Sequence, residues 1–361
     1  MKRWQKLVLI ILVVVIASQV PFAYRRYRLG KLNQAIQQVN ALRQPIADEK
    51  FVEYRGVMHV HSFLGGHSPG TFDQIIDAAK SNNLDFVMMT EHTSSRFNTA
   101  ALTLKGVHDG ILFINGNEIS VANGERLLIL PGDESSTPGD PGSVNEVIDR
   151  AKTKNQLAVV AYPTEFKSWS AAYDGVEVYN VFTNAKQINP LVMLFDGLWS
   201  YRTYPDLLFA TFYQRPSESL GKWDDAIAAT GRRLVATAGN DAHANVGINV
   251  SDNSGRTWIG FKADPYERSF RLVRMHVLIS AGTPLTSESL LAAIAAGHCF
   301  IAFDLFGDAA GFRFTAENGS ENKVQGDEIA ASNGVRLTIQ LPLAARAVLL
   351  KNGKPFADDS G

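Results

Sequence analysis

Cysteine is nearly absent: Cys299 is the single one in 361 residues. One thiol excludes an internal disulfide and any zinc cage built on cysteine. An isolated cysteine reads as a small apolar packing residue. Histidine is also scarce, eight in all, and glycine and proline are in no excess. The composition is that of an ordinary globular chain. A basic body is missing too. The net charge is −1, but residues 1–31 hold seven bases and no acid, leaving 28 bases against 36 acids, a net −8, for the rest. An acidic body is a poor partner for long nucleic acid, whose binding rests on neutralised phosphates. It does not exclude a small anionic substrate, because bound cations dominate the field of a site.

Long hydrophobic runs are absent except at the start. Leu7 to Ala17 is nearly all Leu, Ile and Val, and apolar character continues to Ala23. About 17 such residues suffice for a short spanning helix. A cleaved signal peptide is the rival, but "IASQVPFAY" offers only a poor small-x-small cleavage site. The reading is a transmembrane anchor over residues 1–28. Bases flank both sides of the run; the short head favours an exported body, periplasmic or extracellular. Residues 29–50 form a linker helix, with Leu32, Ile36, Val39 and Leu42 at helical spacing.

From residue 51 short apolar strands alternate with helices, about seven strands in all. That pattern means βα units around a largely parallel, buried sheet, and the strand number favours a closed barrel over an open sheet. The fold class expected is α/β, with the barrel over 51–305. A small β-rich C-terminal region, 306–361, either packs on the barrel or belongs to a larger module.

The strand ends carry the chemistry. His59 and His61 close the first strand, Glu91 and His92 the second, Glu118 the third, and Asp241 and His243 follow "LVATAGN". Tyr162 closes "LAVVAYP", and Glu177 lies within "GVEVYN". In a βα barrel the C-terminal strand ends meet at one mouth, where sites are built. His59 and His61 project to one face of a strand because its period is two. Imidazole and carboxylate without thiolate suit zinc, manganese or iron.

The motifs "HVHS" (59–62), "TEH" (90–92), "GNEIS" (116–120), "GVEVYN" (175–180) and "AGNDAH" (238–243) resemble, in order, those of the polymerase and histidinol phosphatase (PHP) superfamily. The resemblance spans roughly residues 53–305. It implies a distorted (β/α)7 barrel with two or three divalent metal ions that hydrolyses small phosphate esters. Carried over, it implies that His59, His61, Glu118 and Asp241 hold one metal, that Glu118 bridges to a second, and that His67, His92 and His243 surround the third. Two departures stand out. His67 falls near a family aspartate, and Tyr162-Pro163 stands where the family has His-Pro, so the second metal loses a ligand. Tyr162 then reads as a hydrogen-bond donor to substrate or bound water.

A substrate phosphate also needs a cation, for which Arg96 and then Arg215 are the choices. Asp241 and Glu118 complete the catalytic set. His108, His276 and His298 read as structural. Three alternatives stay open: a metal-binding or scaffold module without catalysis, a phosphodiesterase or nuclease acting on short oligonucleotides, and a metal-dependent amide or sugar hydrolase on a similar barrel.

Overall fold

The computed structural model describes residues 2–360 apart from 45, 47, 122, 186–188, 210–212, 246, 252–256, 263 and 332–333. The helices are α1 (Arg3–Ala41), α2 (Phe72–Ser81), α3 (Thr99–Leu102), α4 (Val144–Thr153), α5 (Val181–Ala185), α6 (Pro190–Ser200), α7 (Pro205–Phe209), α8 (Ser217–Thr230), α9 (Tyr266–Leu272) and α10 (Ser287–Ala295). The stretches expected as anchor (1–28) and linker helix (29–50) run together as the single helix α1, which ends at Ala41 and not at 50. It passes through Pro21 without a break, and its second half is held from outside. Leu29 is buried against Leu207 and Leu208, and a Cβ on Gly30 would come within 3.0 Å of the Tyr204 hydroxyl. Among the described residues α1 is the one helix long and apolar enough to cross a membrane, and its apolar window is wholly unburied.

The body's strands are β1 (Phe51–Val60), β2 (Phe86–Met89), β3 (Glu91–His92), β4 (Gly106–His108), β5 (Ile111–Ile114), β6 (Asn117–Ser120), β7 (Arg126–Leu130), β8 (Leu157–Ala161), β9 (Gly175–Asn180), β10 (Val235–Gly239), β11 (Gly247–Ser251), β12 (Thr257–Lys262), β13 (Arg274–Ser280) and β14 (Cys299–Ala302). They form two six-stranded sheets, ordered β14-β13-β1-β2-β5-β4 and β10-β9-β8-β7-β6-β3, and β11 pairs with β12 alone. The ladders therefore give a mixed α/β fold of several sheets, not the one continuous cylinder expected. The reason lies in how the strands end. β2 and β3 are one chain segment that changes sheets at Thr90, as β5 and β6 do at Asn115 and Gly116. On the other side the sheets touch through a parallel bridge between Val60 and Ala242. His61 N–H donates to Ala242 O and Ala242 N–H to His59 O, both at 3.1 Å.

The core follows strand alternation. Met58, Phe86, Met88, Ile114, Leu128, Leu130 and Val159 point between the sheets. Their neighbours Val57, Val87 and Phe113 pack outward with Ile75 and Ala79 of α2 and Phe270 of α9. Leu127, Ile129 and Val160 pack with Val147 and Ile148 of α4. The helices are started as their sequences require: the Thr71 and Ser143 side chains accept from Gln74 and Glu146 N–H, each in a reciprocal capping box. The C-terminal region is β-rich as expected, with β15 (Arg313–Glu317), β16 (Asn322–Val324) and β17 (Arg336–Gln340) in one small sheet and β18 (Arg346–Lys351) and β19 (Lys354–Ser360) in a hairpin.

Candidate metal centre

The site begins with an irregularity in β1. Its register against β2 shifts between Val57 and Val60, and His59 has φ 63°. Strict alternation from inward Met58 would send His59 outward. The left-handed residue adds an extra step, so Met58, His59 and His61 all reach the interior while Val60 packs on the outer face. A second irregularity, between Thr237 and Ala238, shifts β10 against β9. Tyr162 and Asp241, past the ends of β8 and β10, also have positive φ, 50° and 47°. Non-glycine residues in that region cost energy and are held by their surroundings. Gly239 leaves the room needed: a Cβ there would fall 1.8 Å from Glu177 Oε1 and 2.8 Å from the His59 Cβ.

These distortions converge His59, His61, Glu118 and Asp241, all buried. His59 Nε2 lies 3.4 Å from Glu118 Oε2 and 3.5 Å from Asp241 Oδ1. His61 Nε2 lies 3.5 Å and 3.4 Å from the same two oxygens. His92 Nδ1 is 3.2 Å from Glu118 Oε2, and His243 Nδ1 is 2.9 Å from the Asp241 carbonyl. The His61 ring stacks between those of His92 and His243, at 4.5 and 4.2 Å. Two groups have ligand atoms close enough to share an ion: His59, His61 and Asp241, and His61, His92 and His243.

The donor set fits a metal. Both ring nitrogens of His61 and Oδ1 of Asp241 are buried without a hydrogen-bond partner, an arrangement that is costly unless something else satisfies them. Burial, with the positive charge of His243 and His59, pushes the His61 pKa down to about 3, so its lone pair stays free. His92 is held down to about 4, by burial first and then by His243. Burial opposes charge on Glu118 and Asp241 too, but the surrounding histidines hold both carboxyls ionised. At His59 burial is outweighed by Glu177 and Asp241, which raise its pKa well above the usual value. Surroundings that favour a proton at His59 also favour a metal cation.

A further layer fixes the ligand atoms. Glu177 Oε1 accepts from His59 Nδ1 at 2.8 Å, which turns Nε2 into the cluster. Asn180 Nδ2 donates to the other Glu177 oxygen at 2.9 Å. The Tyr162 hydroxyl donates to Asp241 Oδ2 at 2.6 Å. Its pKa is raised by burial and then by Asp241, so it stays a donor. Glu91 belongs to the frame: it accepts from Ser62 N–H at 3.0 Å, from Ser62 Oγ at 2.5 Å and from Thr103 Oγ1 at 2.8 Å.

Three expected residues stand apart. His67 is exposed; its ring reaches the His92 ring edge-on at 5.2 Å but joins neither ligand group. Arg96 and Arg215 are exposed, and neither guanidinium makes a contact with the cluster among the described residues. The nearby cation is Arg126 instead. Its Nη1 donates to Glu118 Oε1 at 2.7 Å, and its guanidinium lies 5.2 Å from the centre of the Tyr162 ring. β7 runs antiparallel to β6 and β8, so its first residue, not its last, lies at the mouth. A search of strand ends passes over it; a search of hairpin starts finds it.

No family model matches the chain, and no curated protein matches it. Solved structures do. A two-domain protein from Bacteroides vulgatus ATCC 8482, containing a predicted PHP-like metal-dependent phosphoesterase, is 14% identical, with 84% of this chain and 80% of that one covered at a TM-score of 0.43. PsfC from Pseudomonas syringae PB-5123 is 11% identical, with coverage of 70% and 91% at 0.41. A protein from Bifidobacterium adolescentis ATCC 15703, named as a metal-dependent phosphoesterase, is 12% identical, with coverage of 60% and 94% at 0.32. At such identities and scores the site is read from its own geometry, in which two groups of histidine and aspartate side chains lie close enough to hold an ion.

Proposed function

We propose that the chain is a membrane-anchored, metal-dependent phosphoesterase whose site sits at the rim where the two six-stranded sheets meet. The single observation that carries the reading is the set of buried, unpartnered donor atoms on His61 and Asp241, 3.4 Å apart and ringed by His59, His92, His243 and Glu118. Zinc, manganese or iron(II) suits those donors. His59, His61, Glu118 and Asp241 would hold one ion, and His92 and His243 would face a second beside it.

A divalent cation bound there supplies a water of lowered pKa and positive charge for phosphoryl oxygens. The protein groups do the rest. Glu177 keeps the His59 lone pair aimed inward, and Tyr162 holds the Asp241 carboxylate by one oxygen, leaving Oδ1 free. Arg126, partly exposed beside Glu118, presents fixed positive charge to the mouth. A guanidinium there suits two phosphoryl oxygens at once and needs no metal ligand at Tyr162. His67, exposed with its ring 5.2 Å from that of His92, borders the approach. The substrate class is a small phosphate ester, monoester or diester, acted on at an envelope surface.

The test uses the full chain in detergent, with manganese and generic aryl mono- and diesters of phosphate. Turnover that a chelator abolishes, and that is lost in Asp241→Asn, is the expected result. Stoichiometric metal without turnover of either ester would favour the non-catalytic binding module.

A further inference from the structure

The outer face of α6 is apolar. Leu191, Leu194 and Leu198 are 65, 51 and 75% exposed, and their spacing of three and four puts them on one stripe. Contiguous exposed apolar surface marks a contact site. The next residues around the helix turn toward α1. The Phe195 ring lies 5.0 Å from that of Phe22, and Trp199 Nε1 donates to Gln19 Oε1 at 3.1 Å. Arg25 pairs with Asp196 at 2.7 Å, and Arg26 donates to Thr203 at 3.0 Å and to the Trp199 carbonyl.

Those contacts set the level of α6 along α1. A helix rises ~1.5 Å per residue, so the ~20 residues from Trp4 to Ala23 cover about 30 Å, the hydrocarbon thickness of a bilayer. Gln19 to Arg25, the stretch that touches α6, occupies roughly the last 9 Å of that span and its exit. Tyr24, Tyr27, Arg28 and Lys31 follow, residue types that anchor a helix at the headgroups. α6 thus sits beside α1 at the boundary between acyl chains and headgroups, with its leucines exposed like the apolar residues of α1.

We propose that α6 is an interfacial helix that lays Leu191, Leu194 and Leu198 into the leaflet from which α1 emerges, so that the partner of this surface is the lipid bilayer itself. The body then meets the membrane at two points and is fixed in orientation. The chain enters α6 from β9 by way of α5. Asn180, at the end of β9, approaches Asp241 at 3.5 Å, and the Phe182 ring lies 6.4 Å from that of His243. The metal cluster and the lipid-facing helix are therefore joined by one short segment. The inference rests on α1 and α6 and does not require the hydrolase reading.

The test places nitroxide labels on single cysteines at Leu194 and Leu198 in a Cys299→Ala background. The full chain is reconstituted in phosphatidylethanolamine–phosphatidylglycerol vesicles and relaxed with oxygen or a water-soluble nickel chelate. Labels at Val13, within α1, and at Val107, exposed on the body, calibrate the two extremes. Positions 194 and 198 should fall between Val13 and Val107, with oxygen accessibility above nickel. Nickel accessibility equal to that of Val107 overturns the proposal, and shielding from both reagents overturns it in favour of a protein partner. A measurement without cysteine variants guards against misfolding: brominated lipids should quench a component of tryptophan emission that disappears in Trp199→Phe, and no such component would also overturn it.

Discussion

His276 carries the most quantitative prediction. It is fully buried in β13, its Nδ1 2.7 Å from Glu53 Oε1 and its Nε2 3.0 Å from Asp304 Oδ2. Arg313 also holds Glu53, at 2.6 Å, and Arg274 holds Asp304, at 3.4 Å. Burial alone would push the His276 pKa down. Asp304 and Glu53 outweigh it and raise the pKa from 6.5 to about 9. Because the folded value lies above the unfolded one, the stabilisation is complete below pH 6.5, declines between 6.5 and 9, and is gone above 9. A rise of that size corresponds to about 3 kcal/mol, or roughly 6–9 °C in Tm for a body of this length. His276→Gln keeps a hydrogen-bonding side chain without the charge. Its melting temperature should fall below that of the unsubstituted chain by this amount at pH 6, with the gap closing by pH 10. A gap of equal size at both pH values would refute the reasoning, because the charge on His276 would then contribute nothing.

Three further outcomes follow from the metal centre. Glu177→Gln replaces the anionic acceptor that orients His59 with a neutral amide and should weaken metal binding about 10–100-fold, with little change in Tm, as titration with a competing chelator would show. Gly239→Ala drives a Cβ against Glu177 and His59 and should weaken metal binding at least as much; unchanged affinity would mean that the close approach is not needed. Arg126→Met should lower kcat/KM about 10²–10³-fold while leaving metal content unchanged, with Arg126→Lys recovering part of the loss; an unaffected rate would remove Arg126 from the substrate site.

Much of the site was legible because ligand chemistry is tied to strand ends. His59, His61, His92, Glu118, Asp241 and His243 all come together, though a hundred and eighty-four positions separate the first from the last. The period-two argument for His59 and His61 gave the right face for an incomplete reason, since the extra residue at His59 is what turns both rings inward. What stayed hidden depended on direction and contact. Arg126 lies at the mouth only because β7 runs backwards. The role of Glu177 shows only once His59 is beside it. A cation on the 93–98 loop looked as well placed as any, yet Arg96 points to solvent. In the fold, strands and helices followed the apolar pattern, while the division into two sheets depended on where β2 and β5 cross over, which no local pattern records. The continuity of α1 was hidden likewise, because the change from an apolar run to an amphipathic pattern near residue 29 reads as a boundary, while packing of Leu29 on α7 carries the helix through it.

The most direct test counts metal. Emission spectroscopy on the purified full chain, dialysed without chelator, should find at least one and at most two divalent ions per chain, falling below one in Asp241→Asn. A chain that folds normally and holds no ion above background would contradict the account.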